Sequence, residues 1–599
     1  MTQPSNTHSN THSRTQAIIF RSKATLFQLR RGWLNLFDTQ IKRFEITDKL
    51  TDGSLIARSK TELWTEKDAA EQFLLAGKVH NLRLAVGKLN GLEIPANEIF
   101  SFWAHVGRTT RGQGYVAGRE LREGCIVPNI GGGLCQLSNA LYDAALTAGF
   151  EIVERHAHTQ VIPGSLAEQG RDATVFWNYV DLRFKSNQAF RIEARLDANH
   201  LFVGYKTEQS RTQQRATLVT IQDPKSKIQN PNSCATCGVA DCFRNVKASA
   251  EMFGRTAFLV DEFVPEFDEY LQHNRQKQDL LFVPLDGNRL RKANYGWTTG
   301  GFAKTRQSWA TTVLRAYKSR RLAAQGASRQ QNLLATSEKL AASYAKNLPF
   351  DATHLVVQQN LLPFLWRDGH LGGRTFDVLM TALPIKALQD RLDAAFSLHP
   401  ESPTLGDFRA PEWLATTETE ALGNARQIIT AHTEIAGLFG EKSIQLKWKM
   451  PPAKNFEKKT AAKFNIVFPA STVGRKGVYE LRAALRDFAA DIKLIVLGAE
   501  LEGDDFWRGF DATHSSADWL ETADLVVLPA FVEHKPRRLL LAAANKIPVI
   551  ASTACGAENV ETIVSIKPGD ADLLRQTIEK VLFKRENNAP AVLETIKMF

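Results

Sequence analysis

The sequence predicts an α/β multidomain protein whose C-terminal half is built on doubly wound parallel sheets. Three observations carry this. At 599 residues the chain is long enough for three or four domains. Its 43% hydrophobic and 23% charged content is ordinary for a globular protein with sizeable cores. From about residue 463, short strand-type apolar runs alternate with helix-type stretches, the pattern of a parallel sheet covered on both faces.

The first 20 residues are rich in Ser, Thr, Asn and His and read as a disordered tail. Residues 21–59 form a basic amphipathic segment. Leu26, Leu29, Trp33, Leu34, Phe37 and Ile41 make a helical stripe, with Arg30, Arg31, Lys42 and Arg43 beside it. Such a helix lies on an anionic membrane as a peripheral contact or, more often, packs on its own domain. No run approaches the roughly 18 apolar residues of a membrane span. Ala17-Ile18-Ile19-Phe20 is too short for a signal-peptide core, so the expected location is the cytoplasm. Six cysteines in this length do not resemble a disulfide framework. The formal charge of +11 permits anionic partners, but no basic run interleaved with aromatics suggests nucleic acid.

The most informative stretch is Ile130-Gly131-Gly132-Gly133-Leu134-Cys135-Gln136-Leu137-Ser138. Leu137, Leu141, Ala144, Ala145 and Ala148 follow at helical spacing, and Gly149 supplies a stop. Cys135 therefore sits at a helix N-terminus, where free amides and the helix dipole favour a thiolate. The glycines let the backbone approach a substrate or an oxyanion. The competing reading is a tight turn on a small buried cysteine.

Further motifs surround this stretch in register. Upstream are His80-Asn81-Leu82-Arg83-Leu84-Ala85, Leu89-Asn90-Gly91, Glu98-Ile99-Phe100-Ser101-Phe102 and Val106-Gly107-Arg108. Downstream are Gly149-Phe150-Glu151-Ile152-Val153-Glu154-Arg155-His156-Ala157-His158, Gly170-Arg171-Asp172-Ala173-Thr174-Val175 and Asp181-Leu182-Arg183-Phe184. Together they resemble a VanW domain over residues 60–206. The resemblance implies an α+β domain associated loosely with the cell envelope, and implies no particular reaction.

Residues 150–162 read as one strand, with Glu154, His156 and His158 on one face at a period of two. Either histidine is a candidate base for Cys135, with Asp172 or Asp181 as its orienting carboxylate, as in papain-like and transglutaminase-like enzymes. A zinc site from His156, His158, the thiolate and a carboxylate is a second reading. Plain polar members of a half-exposed strand are the third.

Residues 207–253 read as a linker with one strand near 216–221. The linker carries Cys234, Cys237 and Cys242, three cysteines within nine residues. That spacing suits zinc or an iron–sulfur cluster first, a redox dithiol second and free thiols third.

In the C-terminal half, the carrying residues are Gly474-Arg475-Lys476-Gly477, Val496-Leu497-Gly498, Ala523 through Pro529 with Glu533, Pro548 through Ser552, and Pro568-Gly569-Asp570. They are similar to the donor-binding half of GT-B glycosyltransferases, which places that half at 451–599 and an acceptor half at 254–450. Ala425-Arg426-Gln427-Ile428-Ile429-Thr430 with His432 resembles the acceptor half's last strand, and residues 402–407 read as a loop. The resemblance implies a nucleotide sugar as donor and a glycan or small molecule as acceptor. Arg475 and Lys476 would hold the diphosphate and Glu533 the ribose. The family's second glutamate falls on Leu541, which cannot accept a hydrogen bond. The sequence thus supports a glycosyltransferase-like enzyme acting on an envelope glycan or its precursor. Its alternatives are a non-catalytic scaffold with a degenerate transferase fold, and a cysteine-dependent acyl transferase or hydrolase.

Overall fold

A computed structural model describes residues 41–583 apart from 66–68, 123–124, 159–165, 167, 209–216, 221–253, 322–325, 407–408, 460–461 and 515–518, together with seven positions between 25 and 33. Cys234, Cys237 and Cys242 lie outside the described residues, as does the N-terminal tail. The chain divides into two compact units. The first holds residues up to Thr256 with short segments at 348–355 and 368–375; the second holds the remainder.

The first unit is α+β and largely antiparallel. Its strands β1 (Ser54–Glu62), β2 (Glu93–Ile94), β8 (Phe190–Leu196), β9 (His200–Thr207) and β10 (Thr217–Thr220) form a sheet in the order β10-β1-β9-β8-β2. Only the β1–β10 pair is parallel. A second sheet, ordered β3-β7-β6, joins β3 (Phe100–Ser101), β6 (Glu151–Glu154) and β7 (Arg183–Lys185). The hairpin of β4 (Ala117–Arg122) and β5 (Cys125–Ile130) leads into the glycine turn.

Helices α1 (Ala69–Leu89) and α3 (Cys135–Thr147) fill the space against these strands, and α2 (Phe102–Val106) is a single short turn between them in sequence. The predicted apolar stripe of α3 is buried: Leu137, Leu141, Ala144 and Ala145 are all at 0% exposure. It packs into one core with Phe150, Phe184, Phe190 and Tyr205, whose rings pack within 6.0 Å of one another. The Tyr205 hydroxyl donates to the Leu141 carbonyl at 2.7 Å, fixing α3 on the sheet. Burying these side chains contributes roughly 1.5–3 kcal/mol each.

The second unit carries most of the two parallel sheets that the sequence predicts, the first residues of three strands (255–256, 352–355 and 375) being grouped with the first unit. One has seven strands in the order β13-β12-β11-β14-β15-β16-β17: β11 (Arg255–Leu259), β12 (Leu280–Val283), β13 (Lys304–Gln307), β14 (Ala352–Gln358), β15 (Thr375–Leu379), β16 (Gln427–Thr430) and β17 (Ser443–Gln445). Helices α4 (Pro265–Asn274), α5 (Trp309–Arg321), α6 (Gly326–Asn347), α7 (Ile385–Leu398) and α8 (Glu412–Asn424) connect these strands. The other sheet has six strands ordered β20-β19-β18-β21-β22-β23, and every pair in it is parallel. Its members are β18 (Phe464–Phe468), β19 (Ile492–Val496), β20 (Ala512–His514), β21 (Leu525–Leu528), β22 (Val549–Ser552) and β23 (Ile563–Ile566). Strands β21 and β22 are buried at every residue, as continuous Val/Ile/Leu runs covered on both faces must be. Helices α9 (Val478–Leu485), α10 (Arg537–Ala544) and α11 (Ala571–Phe583) complete this domain.

Among the described residues, no helix is long and apolar enough to cross a membrane.

Candidate active site

Cys135 is the first residue of α3 and follows a turn that only glycine can make cheaply. Gly131 and Gly133 have φ of 79° and 99°, in the left-handed region. A Cβ on Gly132 would collide with the backbone carbonyl of Gly118. The turn is pinned from α1 by the fully buried Asn81. Its Nδ2 donates to the carbonyls of Val116 and Gly132, each at 3.0 Å, and its Oδ1 accepts from the Val116 amide at 3.0 Å. The amides of Leu134 and Cys135 make no hydrogen bond among the described residues and sit at the positive end of α3.

Two further segments converge on the sulfur. The Cys135 Sγ lies 3.7 Å from Thr174 Oγ1 and 3.8 Å from the Val175 carbonyl, and the His158 imidazole is near enough to act on it electrostatically. His158 Nδ1 is 2.6 Å from Asp172 Oδ2, which also accepts the His158 amide at 2.7 Å. The second Asp172 oxygen accepts from Arg155 at 2.7 Å. The segment bearing Asp172 is held down by α3: Asn139 accepts the Ala173 amide at 2.8 Å and Ser138 donates to the Ala173 carbonyl at 2.6 Å. Nucleophile, imidazole and carboxylate therefore form one chain of interactions, each member fixed from outside the chain.

Electrostatics shift this array towards its charged form. Burial pushes the Cys135 thiol up, but the adjoining His158 hydrogen bond and charge outweigh it, leaving the thiol below its ordinary value. Burial disfavours the His158 charge, yet contact with Cys135 and Asp172 raises its pKa to about 9. Asp172, though its own burial opposes ionisation, is held below the usual carboxylate range by His158 and Arg155.

A second concave site lies at the carboxyl ends of β18 and β21, where open parallel sheets bind ligands. It is a cleft of about 480 Å³ lined by Arg475, Lys476, Lys535, Arg537 and Arg538, with Glu533 its one carboxylate. Three of these cations are already paired. Lys476 Nζ lies 2.8 Å from Glu533 and donates to the Val532 carbonyl at 2.9 Å; Lys535 meets Glu262 and Arg537 meets the buried Glu266. Arg538 instead donates to the carbonyls of Pro469 and Leu497 at 2.8 and 3.0 Å, and Arg475 is exposed. The Gly474 amide, which opens the basic turn, donates to Glu502 at 2.6 Å and to Thr404 at 3.0 Å.

Residues 77–205 match the family model described as VanW like protein. The chain carries a VanW domain. Over 118 residues it is 38% identical to the Bacillus subtilis protein YoaR, covering 19% of this chain and 38% of that protein. Over 136 residues it is 31% identical to the vancomycin B-type resistance protein VanW of Enterococcus faecalis, covering 22% of this chain and 50% of the relative. The matches thus span half or less of these relatives. Similar solved structures include the sucrose-phosphate synthase of Thermosynechococcus elongatus, at 16% identity and a TM-score of 0.35, covering 57% of this chain and 92% of that one. HepE of Anabaena, solved with UDP-glucose, is 13% identical with a TM-score of 0.35, covering 57% and 94%.

Within the VanW domain, the structure brings Cys135, His158 and Asp172 together and leaves His156 apart. The expected strand over 150–162 is shorter: β6 stops at Glu154 after an irregular pairing with β7, and residues 159–165 lie outside the described set. His156 turns its Nε2 to Glu154 at 3.6 Å and is 51% exposed, so the period-two alignment with His158 fails. Asp181 does not orient an imidazole. Its carboxylate accepts from Ser101 at 2.6 Å and Trp103 at 3.1 Å, capping α2, and from Arg183 at 3.0 Å. The His-x-His zinc reading has no support, because no group of three His, Cys, Asp or Glu suited to a metal occurs among the described residues. The sequence reading missed Asn81, Arg155 and Thr174 as site residues. Arg155 was findable, since it lies between two candidate residues, whereas Asn81 lies 54 positions before Cys135 and only folding reveals it. Glu502, which fills the Gly474 turn, carried no sequence signal.

Proposed function

We propose that the VanW domain performs cysteine-dependent acyl transfer or hydrolysis on an amide or ester of the cell envelope or its precursors. The observation carrying this is the continuous Cys135–His158–Asp172 array, with an imidazolium favoured beside a thiolate. The Cys135 thiolate attacks the carbonyl carbon, and the developing oxyanion meets the free amides of Leu134 and Cys135. His158 gives its proton to the departing amine or alcohol as the carbon–heteroatom bond breaks, leaving a thioester. Water or an acceptor amine, deprotonated by His158, then attacks the thioester and restores the thiol. Asp172 holds the imidazole orientation and its positive charge. The test is trapping: acyl-thioester on Cys135 detected by mass spectrometry after incubation with envelope peptides, absent in Cys135→Ser. Failure to trap or turn over any such amide or ester, with Cys135 shown to be alkylated rapidly at neutral pH, would count against acyl transfer.

A second reading is glycosyl transfer from a nucleotide sugar bound in the C-terminal cleft, and Arg538 favours it. This arginine is fixed by two strand-end carbonyls and lacks a carboxylate partner among the described residues, so it presents a cation to the cleft. Against it, Lys476 and the Gly474 amide are occupied by Glu533 and Glu502, so a diphosphate must displace the protein's own carboxylates. Calorimetric titration with common nucleotide sugars tests this reading; no heat for any donor would remove it.

A further inference from the structure

The chain's positive charge is concentrated in one place. Residues 287–337 contain ten Arg and Lys and no Asp or Glu, against a formal net charge of +11 for the whole chain. This stretch contains β13, the edge strand of the seven-stranded sheet, and then α5. Arg289, Arg291, Lys292, Lys304 and Arg306 are exposed. Helix α5 attaches to its unit by the face bearing Thr312, which donates to the Pro284 carbonyl at 3.0 Å, and Arg315, which pairs with Asp261. The opposite face is apolar and exposed. Trp309, Val313 and Tyr317, one turn apart in succession, are 65%, 59% and 59% exposed, with Leu314 beside them at 43%. Arg320 and Arg321 end the helix.

Exposed aromatics on a helix face within a carboxylate-free basic stretch match an anionic bilayer surface. Trp and Tyr rings settle at the headgroup level, apolar side chains reach the acyl boundary, and the surrounding cations meet the lipid charge. A protein partner covering this face would need carboxylates in number; the exposed cations Arg289, Arg291, Lys292, Lys304 and Arg306 beside an apolar helix face suit an anionic lipid surface better. We infer that α5, with the basic edge strand before it, is a peripheral membrane-docking surface for anionic lipid. This inference is independent of the acyl-transfer reading.

The test uses the full chain with sucrose-loaded vesicles, either equal parts phosphatidylglycerol and phosphatidylcholine or phosphatidylcholine alone. Co-sedimentation should favour the anionic vesicles by about tenfold or more and weaken as salt rises. The combined substitution Trp309→Ser, Val313→Ser and Tyr317→Ser should lower anionic partitioning by about tenfold or more, since the three side chains are exposed and removable without a core cavity. Hydrogen exchange over residues 309–321 should slow when anionic vesicles are added. Equal partitioning of the variant and the unaltered chain would overturn the inference. So would loss of binding on Leu29→Ser with Trp33→Ser while the α5 variant still binds, which would assign docking to the N-terminal segment. A dimer in solution that the α5 variant dissociates would assign this face to a second copy of the chain and overturn it equally.

Discussion

Replacing Asp172 by Asn tests the charge arrangement of the candidate site while keeping its shape. Asp172 is 2% exposed and accepts three hydrogen bonds, from His158 Nδ1, the His158 amide and Arg155. Asparagine fills the same volume, but it carries no charge and can accept through one oxygen only. A carboxylate beside an imidazolium is worth about one to three pKa units. His158 should therefore fall from about 9 towards its ordinary value, and the Cys135 thiol should rise towards the ordinary thiol range. The assay is iodoacetamide alkylation of Cys135 across pH 5 to 10, read on its own peptide by mass spectrometry. Cys555 serves as a reference within the same chain, because burial pushes its thiol up to about 12. In the unaltered chain, Cys135 should be alkylated faster at neutral pH than an ordinary thiol. In Asp172→Asn the rate near pH 6.5 should drop about tenfold to a hundredfold. Superimposable profiles in the two proteins would refute the ion-pair reasoning.

The same substitution has a stability signature with a definite sign. His158 binds its proton more tightly folded than unfolded, so its contribution is complete below about 6.5 and disappears as pH rises through about 9. Asp172 has the opposite sense: its contribution is present above the ordinary carboxylate range and is lost as acid protonates it. The melting-temperature gap between the unaltered chain and Asp172→Asn should be widest between these limits and narrow at both ends.

Three further outcomes are expected. His158→Ala should return Cys135 alkylation to that of an ordinary thiol, whereas His156→Ala should leave it within about twofold, as the His156 side chain turns to Glu154. Asn81→Ala leaves the Val116 amide and two carbonyls without their partner; chemical denaturation should show a loss of about 2–4 kcal/mol. Lys476→Ala strands the largely buried Glu533 carboxylate, so denaturation of the second unit should show a loss on the order of 3 kcal/mol, and Glu533→Gln with Lys476→Ala should recover part of it.

What was legible in the sequence follows periodicity. The 3.6-residue stripe from Leu137 to Ala145 predicted a helix with Cys135 at its start, and α3 begins at that residue. Fully apolar runs such as Leu525–Leu528 predicted strands buried on both faces, because only a covered parallel sheet tolerates them. The histidine pair was not legible by the same means. A period of two holds only while a strand stays paired, and pairing with β7 becomes irregular between Ile152 and Glu154. Beyond that point, His158 is placed by Asp172 and its own backbone amide, a long-range contact with no local sequence signature. The basic turn at Arg475-Lys476 was visible; its neutralisation by Glu533 and Glu502 was not, since those residues arrive from other loops.

The two candidate sites differ in what they still need. The cysteine site has its charges placed: the carboxylate is paired, the imidazole is held, and the amides of Leu134 and Cys135 make no hydrogen bond among the described residues. On the acyl-transfer reading proposed above, such placed charges would act as preorganisation, a large source of catalytic stabilisation. The cleft is the reverse case. Lys476 and the Gly474 amide have carboxylates of the protein's own as partners, and three other lining cations either cross to Glu262 and Glu266 or are fixed on carbonyls. A bound diphosphate would gain those donors only by exposing or protonating Glu533 and Glu502, and Glu533 resists protonation because Lys476 holds its pKa down against the effect of burial. Chemistry that begins with a thiolate therefore demands less of this chain than chemistry that begins with a nucleotide diphosphate.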